Sequence, residues 1–504
     1  MLRKSGTLSR YRYVLNILEL GAACRDEVFP VDSEKTKTKI VCTIGPSTSS
    51  KAMLRRLTRA GMNVARLNLS HGTLDEHAAR IRSIRTVSRE LKTSLGILLD
   101  LPGPKIRVGK IFPEPVELRE GGQLTLTSRR IIGNQKIVSI SYPSILKQLR
   151  KGDRVFLEDG IVELTVIQAG KDQATCRIVR GGHISSGKGV NLPGKKLRLG
   201  ALTKQDISLL RFAVENGVDF VALSFVTTAA EVAKARRLVK DAGSKAWIIA
   251  KIEKRQAVEN FDEIVRKAHG VMVARGDLGV EMEIEEIPTL QKEIITKANA
   301  AGKPVITATQ MLESMVNNPV PTRAEVTDIA NAIIDGTDAI MLSEETAVGS
   351  YPVEAVNVMK RVASATEKNL PYSTLLDSRR EHLRPIVQDL ISYSACVVAY
   401  RVGAGCIVAH TRTGLTAHRV SKFRSPVPII ALTYNVPVMN RLSLLWGVYP
   451  YRVKKLSTTA EIFSAAKAAA KHSGTVNENG KIVVVCGDPS TPSGTTDLLR
   501  VQTV

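Results

Sequence analysis

Eight runs of the chain are apolar at nearly every position: KIVCTIG (39–45), MNVARLNL (62–69), SLGILLDL (94–101), VDFVALSF (218–225), AWIIAKIE (246–253), GVMVARGD (270–277), KPVITATQ (303–310) and DAIMLSEE (338–345). Runs with no polar face are expected of parallel strands covered on both sides. Stretches with helical spacing lie between most of them, 228–243 and 287–302 being the clearest. Eight such units predict an α/β protein built on a (β/α)8 TIM barrel.

The alternation changes in two places. More than 100 residues separate the third run from the fourth, and there apolar and polar positions alternate singly, as in VELREGGQLTLTS and GDRVFLEDGIVELTVIQAGKDQATCRIVRGG. Period two with Gly-Asp and Gly-Lys turns predicts a small antiparallel β-barrel lid, inserted between the Pro/Gly-rich flanks LPGPKIRVG and GVNLPGKKLRLG. Beyond about residue 370, apolar runs at 403–423, 427–435 and 481–489 alternate with helices, which predicts a separate open α/β regulatory domain. The expected division is 1–36 N-terminal extension, 37–102 first part of the barrel, 103–200 lid, 201–370 second part of the barrel, and 371–504 C-terminal domain.

Polar residues collect at the ends of the barrel runs: Arg66, Asn68 and Ser70, Asp100, Ser224, Lys251 and Glu253, Asp277, Thr309, Glu344 and Glu345. The mouth of such a barrel, formed by the C-terminal strand ends, is where its chemistry lies. Lys251 and Glu253 are two apart and so project to one face. They suit an ion pair capping a strand, or a ligand set for a metal and an anion. Glu253 and Asp277 end consecutive runs and together suit Mg²⁺ or Mn²⁺; no His/Cys set has zinc spacing. Lys251 could instead form a Schiff base, but two neighbouring carboxylates favour a phosphoryl group beside a divalent ion. LGVEM after Asp277 could open a short helix whose free N–H groups bind an anion.

Composition narrows the class. The chain has 504 residues, 43% hydrophobic and 4% aromatic, and a formal net charge of +24. That field favours anionic partners. The cations are dispersed, without the concentrated stripe of a nucleic-acid binder, so phosphorylated small molecules are expected and no specific nucleic acid. No apolar run is long enough to span a bilayer. Cys24, Cys42, Cys176, Cys396, Cys406 and Cys486 are scattered and form no C-x-x-C, as in a cytoplasmic protein with reduced thiols. The basic start has a short apolar patch but no full signal-peptide core, and Glu19, Asp26 and Glu27 argue against a transit peptide, so it reads as an extension.

The segments IIAKIEKRQAV, MNVARLNLSHG, VARGDLGVE, ATQMLESM and PTRAEVTDIANAIIDGTDAIMLSEETAVGSYPVEAV closely resemble pyruvate kinase, and the resemblance runs from about Lys37 to the end. It implies transfer of the phosphoryl group of phosphoenolpyruvate to ADP, giving pyruvate and ATP, usually in a homotetramer. It assigns the divalent ion to Glu253 and Asp277, and the transferring group to Lys251 and Arg66. Thr309 would position the water or relay that protonates the enolate, and the backbone of Ala274, Arg275 and Gly276 would cradle substrate oxygens. For the nucleotide it points to Pro46, Asn68 and His71 on the barrel, Arg107 in the first hinge and Lys188 on the lid.

One stretch departs from the family. Many members read D-T-K-G-P-E after the third strand and hold K⁺ partly through residues matching Asn68, Ser70 and Asp100. Here it reads DLPGPK, with Leu101 and Lys105 in place of Thr and Glu. A lysine ammonium can supply fixed charge where a mobile cation would sit, so K⁺ independence is expected, with Asn68, Ser70 and Asp100 organising Lys105 and Arg66. In the last domain, HTRTGLTAHRV is a strand, a Thr/Gly-rich loop and a helix start. The resemblance places its Thr411, Arg412, Thr413 and Thr416, with PSGTTD at 492–497, in a site for a sugar-phosphate or nucleotide effector.

Overall fold

The computed structural model describes residues 36–195, 202–490 and 494–504. Cys24 and all but the last residue of the expected 1–36 extension lie outside the described residues, as do Pro492 and Ser493 of the effector segment.

Eight parallel strands close into a barrel: β1 (Lys39–Thr43), β2 (Val64–Asn68), β3 (Gly96–Asp100), β4 (Phe220–Leu223), β5 (Trp247–Ile252), β6 (Gly270–Ala274), β7 (Val305–Ala308) and β8 (Ala339–Leu342), with β8 pairing back to β1. Alternation decides what each strand offers. Val41, Val64, Leu98, Phe220, Ile249, Met272, Ile306 and Ala339 meet in one apolar layer inside the barrel, joined by Leu444 from the C-terminal domain. The next inward position along β2, β3 and β5 is Arg66, Asp100 and Lys251. The same face is thus a core at one level and a charged site two residues later. The opposite face of each strand packs on the surrounding helices, with Cys42, Ala65, Leu99, Val221, Ala250 and Val271 in that shell.

The strands are shorter than the apolar runs at their C-terminal ends. β6 stops at Ala274, and a helix, Arg275–Glu281, starts where strand was expected, so Asp277 lies in its first turn. The helix predicted after Asp277 therefore opens two residues before it. Free N–H groups and the positive end of the peptide dipoles favour a carboxylate there. Thr309 and Gln310 follow β7 in the left-handed region, φ +68° and +54°. Such angles are costly for a β-branched residue and concentrate at functional sites.

Between β3 and β4 lies a curled six-stranded sheet, ordered Val190–Asn191, Arg154–Leu157, Val162–Ala169, Gln173–Arg180, Gln123–Thr127, Ile137–Ser139, with a smaller pair, Val116–Leu118 and Gly182–Ile184. It has its own core, including Leu124, Val155, Leu164 and Ile178. Pairing is antiparallel except between Gln123–Thr127 and Ile137–Ser139, which run parallel.

The C-terminal sheet has five strands, β9 (Cys406–His410), β10 (Ile429–Thr433), β11 (Val448–Arg452), β12 (Lys481–Cys486) and β13 (Leu498–Thr503), ordered β11-β10-β9-β12-β13. Only β13 runs antiparallel to its neighbour. This domain sits against the barrel floor, where Arg424 pairs with Asp338. The five described cysteines are free and buried, and burial pushes the thiols of Cys176, Cys406 and Cys486 up to about 12. No helix among the described residues is long and apolar enough to cross a membrane.

Candidate active site

Three strand ends carry one charge network. Asp100 Oδ2 accepts hydrogen bonds from Arg66, 2.8 Å from Nε and 2.7 Å from Nη2, while Arg66 Nη1 donates to Thr43 Oγ1 at 2.8 Å. Asp100 Oδ1 lies 3.3 Å from the Lys251 ammonium, which also donates to Ser224 Oγ at 2.8 Å. Burial works to raise the Asp100 acid, but Lys251 and Arg66 outweigh it and hold the carboxyl below its ordinary range. Burial likewise disfavours the Lys251 charge, and Asp100, Glu253 and Asp277 together more than reverse that. Lys251 is therefore held in its charged form, and both cations are fixed in place by Asp100.

Glu253 is the least satisfied member. Its Oε2 accepts the Phe225 N–H at 2.6 Å, and its Oε1 lies 2.7 Å from the Lys251 ammonium. Oε1 is nonetheless buried without a well-directed hydrogen bond. Burial, with the nearby charge of Asp277, raises the Glu253 acid above its ordinary value, against the pull of Lys251. A buried carboxylate oxygen with unused acceptor capacity, near a second carboxylate in the helix that follows the next strand, fits a hard divalent cation. Among the described residues no group of three or more His, Cys, Asp or Glu could hold a metal. An ion here would complete its shell with substrate oxygens and water.

The other expected residues surround this centre. Lys105 Nζ is 4.0 Å from Asp277 Oδ1. That corrects the expected grouping: Asp100 organises Arg66, as expected, but it pairs with Lys251, and Lys105 reaches Asp277 from across the mouth. Leu101 is buried, and the Ser70 N–H caps the Asn68 side chain at 3.1 Å. Thr309 Oγ1 donates to Ala308 O at 2.6 Å and accepts the Gly276 N–H at 2.8 Å. The Arg275 side chain is turned away into the loop beyond β7, bonding Asp328 at 2.5 Å and Thr309 O at 2.6 Å. It props up Thr309 through that backbone oxygen.

Pro46 and His71 are exposed on the barrel rim. Gly45, before Pro46, has no alternative: a Cβ there would lie 2.5 Å from Ala347 O. On the lid, Arg107 Nη1 donates to Gly187 O at 2.8 Å and the Lys188 ammonium is 2.5 Å from Glu158 Oε1. At the far end of the molecule, Thr411, Arg412, Thr413 and Thr416 line a cavity of about 270 Å³ shared with Lys455 and Gly494. Thr411 Oγ1 accepts the Gly414 N–H, and Thr416 bonds Thr496 at 3.0 Å.

Sequence reading did not single out Thr43, Glu158, Asp328 or the Phe225 N–H. Thr43 could have been found, since it ends β1 one layer above Val41. The others depend on contacts across 28 to 53 residues of chain, or across the lid.

Comparison with known proteins identifies the family. The family profile described as pyruvate kinase, barrel domain, matches residues 35–356, and that of the pyruvate kinase alpha/beta domain matches 389–502. A pyruvate kinase of Geobacillus stearothermophilus is 43% identical over 473 residues, covering 93% of this chain and 81% of the relative. "Pyruvate kinase 2" of a Synechocystis strain is 45% identical over 472 residues, 93% of this chain and 79% of the relative. The solved structure of a pyruvate kinase from Cryptosporidium parvum superposes with a TM-score of 0.88 at 37% identity, over 94% of this chain and 98% of that one. With these matches spanning barrel and C-terminal domain alike, the chain belongs to the pyruvate kinase family of phosphotransferases.

Proposed function

We propose that this enzyme transfers the phosphoryl group of phosphoenolpyruvate to ADP, giving pyruvate and ATP, with Mg²⁺ or Mn²⁺ held by Glu253 and Asp277. The carrying observation is the fixed pair of cations, Arg66 and Lys251, tied to the single carboxylate of Asp100 beside the under-satisfied Glu253. The bound ion would neutralise substrate oxygens. The chain's own residues do the rest. Arg66 and Lys251 offer preorganised positive charge to the equatorial oxygens of the transferring group, whose electrostatic stabilisation is the main catalytic need. The backbone N–H groups of Arg275 and Asp277, in the first helical turn, orient substrate oxygens with Ala274 and Gly276. Thr309, locked by Gly276 and Ala308, positions the proton donor for the enolate.

ADP would lie between the barrel rim, at Pro46, Asn68 and His71, and the lid, at Arg107 and Lys188. Lid closure would bring these cations onto the diphosphate and exclude water. Lys105, beside Asp277, supplies fixed charge at the mouth and makes K⁺ dispensable. The cavity at Thr411–Thr416 would take a sugar phosphate or nucleotide effector. A cytoplasmic homotetramer is the assembly this reading carries, with the limits 37–102, 103–200, 201–370 and 371–504 as its working domains.

A coupled assay for pyruvate tests this. Turnover that needs phosphoenolpyruvate, ADP and Mg²⁺ together, with equal rates in K⁺ and in buffer free of alkali cations, is the expected result. No turnover with all three would overturn the reading, and a many-fold K⁺ activation would overturn its monovalent-cation part. Borohydride trapping of Lys251 with pyruvate would instead favour Schiff-base chemistry.

A further inference from the structure

We propose that Glu158 is a positioning residue of the lid, which sets the Lys188 ammonium for the nucleotide's diphosphate. The inference rests on the reading above that Lys188 meets that diphosphate.

Glu158 opens a short turn, Glu158–Gly160, directly after the lid strand Arg154–Leu157. Its φ is +55°. Glycine, asparagine and aspartate visit that region at lower cost than glutamate. Its side chain is 19% exposed, with Oε1 2.5 Å from Lys188 Nζ and Oε2 buried without a hydrogen-bond partner. A solvated surface pair would show neither the backbone strain nor the stranded oxygen. Strain and an unmet acceptor are retained here together, which points to a task the fold alone does not set.

The surroundings show what the carboxylate controls. The Glu158 N–H donates to Gly189 O at 3.2 Å, and Arg107 Nη1 donates to Gly187 O at 2.8 Å. Lys188 lies between these two anchored residues, so its backbone is tied on one side to Arg107 and on the other to the Glu158 N–H, while the Glu158 carboxylate meets its ammonium. The turn also rests on the helix Arg275–Glu281: a Cβ at Gly160 would be 3.7 Å from Val280 Cγ2. That helix carries Asp277 in its first turn. The lysine stem has four rotatable bonds, and its ammonium has three donors. Glu158 engages the ammonium from one side, 2.5 Å away. Glu158 restrains the half-exposed amine, and losing that contact adds to the ordering cost that nucleotide binding must meet.

The test uses the full-length enzyme and steady-state kinetics against ADP and phosphoenolpyruvate separately, for Glu158→Gln, Glu158→Gly, Lys188→Met and the double variant Glu158→Gln/Lys188→Met. Glu158→Gly matters because it removes the carboxylate while relieving the backbone, so a folding defect is not expected. Both Glu158 variants should lower kcat/KM for ADP about tenfold, the size of one lost charge-assisted contact, with KM for phosphoenolpyruvate unchanged. In the Lys188→Met background, Glu158→Gln should add less than about twofold. Unchanged ADP kinetics in Glu158→Gly, or the full loss persisting without Lys188, would overturn the positioning role. Unchanged ADP kinetics in Lys188→Met would instead overturn the nucleotide reading beneath it.

Discussion

Asp100 grips Arg66 through one oxygen, Oδ2, which lies 2.8 Å from Nε and 2.7 Å from Nη2, and so keeps Oδ1 for Lys251 at 3.3 Å. One carboxylate thus spaces two cations whose mutual repulsion would otherwise part them. Asp100→Asn keeps the shape and removes the charge. An amide also presents a donor to one of the two cations, so the spacing of Arg66 and Lys251 should be lost. We expect kcat to fall by about 10²-fold, comparable to losing one preorganised stabilising group. Stability should fall by roughly 3 kcal/mol, as for breaking a buried ion pair from one side. Stopped-assay rates and denaturant midpoints read the two effects separately. Wild-type kcat with a lowered midpoint would limit Asp100 to a structural role.

Glu253 differs from Asp100 in what it lacks. Its buried Oε1 has the Lys251 ammonium beside it but no well-directed bond. A divalent ion is the natural remedy, because hard cations take carboxylate oxygens without the directional demand of a hydrogen bond. Glu253→Gln should therefore weaken metal binding by roughly 10- to 100-fold. Titration of Mn²⁺ by electron paramagnetic resonance measures this without relying on turnover. Equal Mn²⁺ affinity in the two proteins would remove Glu253 from the metal site.

How much of this was legible in the sequence follows from where each signal is local. β1 to β8 were visible because strands covered on both faces are apolar at both alternate positions. Their ends were misjudged at 275–277 and 309–310 because composition does not show where a chain leaves the ladder. Arg275 enters a helix, and Thr309 and Gln310 turn left-handed. Two strands of the C-terminal sheet escaped notice. β11, VYPYR, contains a proline at the sheet's edge, and β13, LLRVQT, is a largely exposed edge strand. In the site, period two was enough to put Lys251 and Glu253 on one face. It could not show that Asp100 would choose Arg66 and Lys251 while Lys105 went to Asp277, since those distances depend on barrel closure.

Arg424 and Asp338 hold the C-terminal domain to the barrel floor. Arg424 Nη1 is 2.7 Å from Asp338 Oδ1, Nη2 is 2.9 Å from Oδ2, and Nη2 also donates to Asn299 Oδ1 at 2.9 Å. Asp338 Oδ2 accepts the N–H of Val305 at 2.9 Å, so the pair reaches into the start of β7. Arg424→Met would leave Asp338 buried beside an apolar chain and should cost about 3–5 kcal/mol. Both tryptophans of the sequence report on this seam, since Trp446 stands 5.3 Å from the Arg424 guanidinium and Trp247 touches His418. Tryptophan emission should shift at lower denaturant than far-ultraviolet dichroism in the variant, because the seam opens before the barrel. Coincident transitions with an unchanged midpoint would deny the pair its role.

The same seam contains two histidines kept neutral by burial. His418 lies against Trp247 with ring centroids 5.7 Å apart, and His269 stacks on that indole at 6.1 Å. Burial, reinforced by Lys303 and opposed by Asp338, pulls His418 down to about 4; burial with Arg236, Lys303 and Arg441 pulls His269 down to about 3. Unfolded, each would titrate near its ordinary 6.5. Between the unfolded and folded values the unfolded chain binds more protons, so stability rises with pH there. The contribution is complete above 6.5 and is lost as pH falls toward 4. For His418 the whole shift corresponds to roughly 3 kcal/mol. Glu281, raised to about 7 mainly by burial, acts with the opposite sign over 4.5 to 7, so the wild-type curve alone mixes the two. The difference between wild type and His418→Gln isolates the histidine. That difference in unfolding free energy should shrink steadily from pH 6.5 to 4, followed by Trp247 emission. Parallel curves across that interval would show that His418 keeps an ordinary affinity for protons in the folded protein.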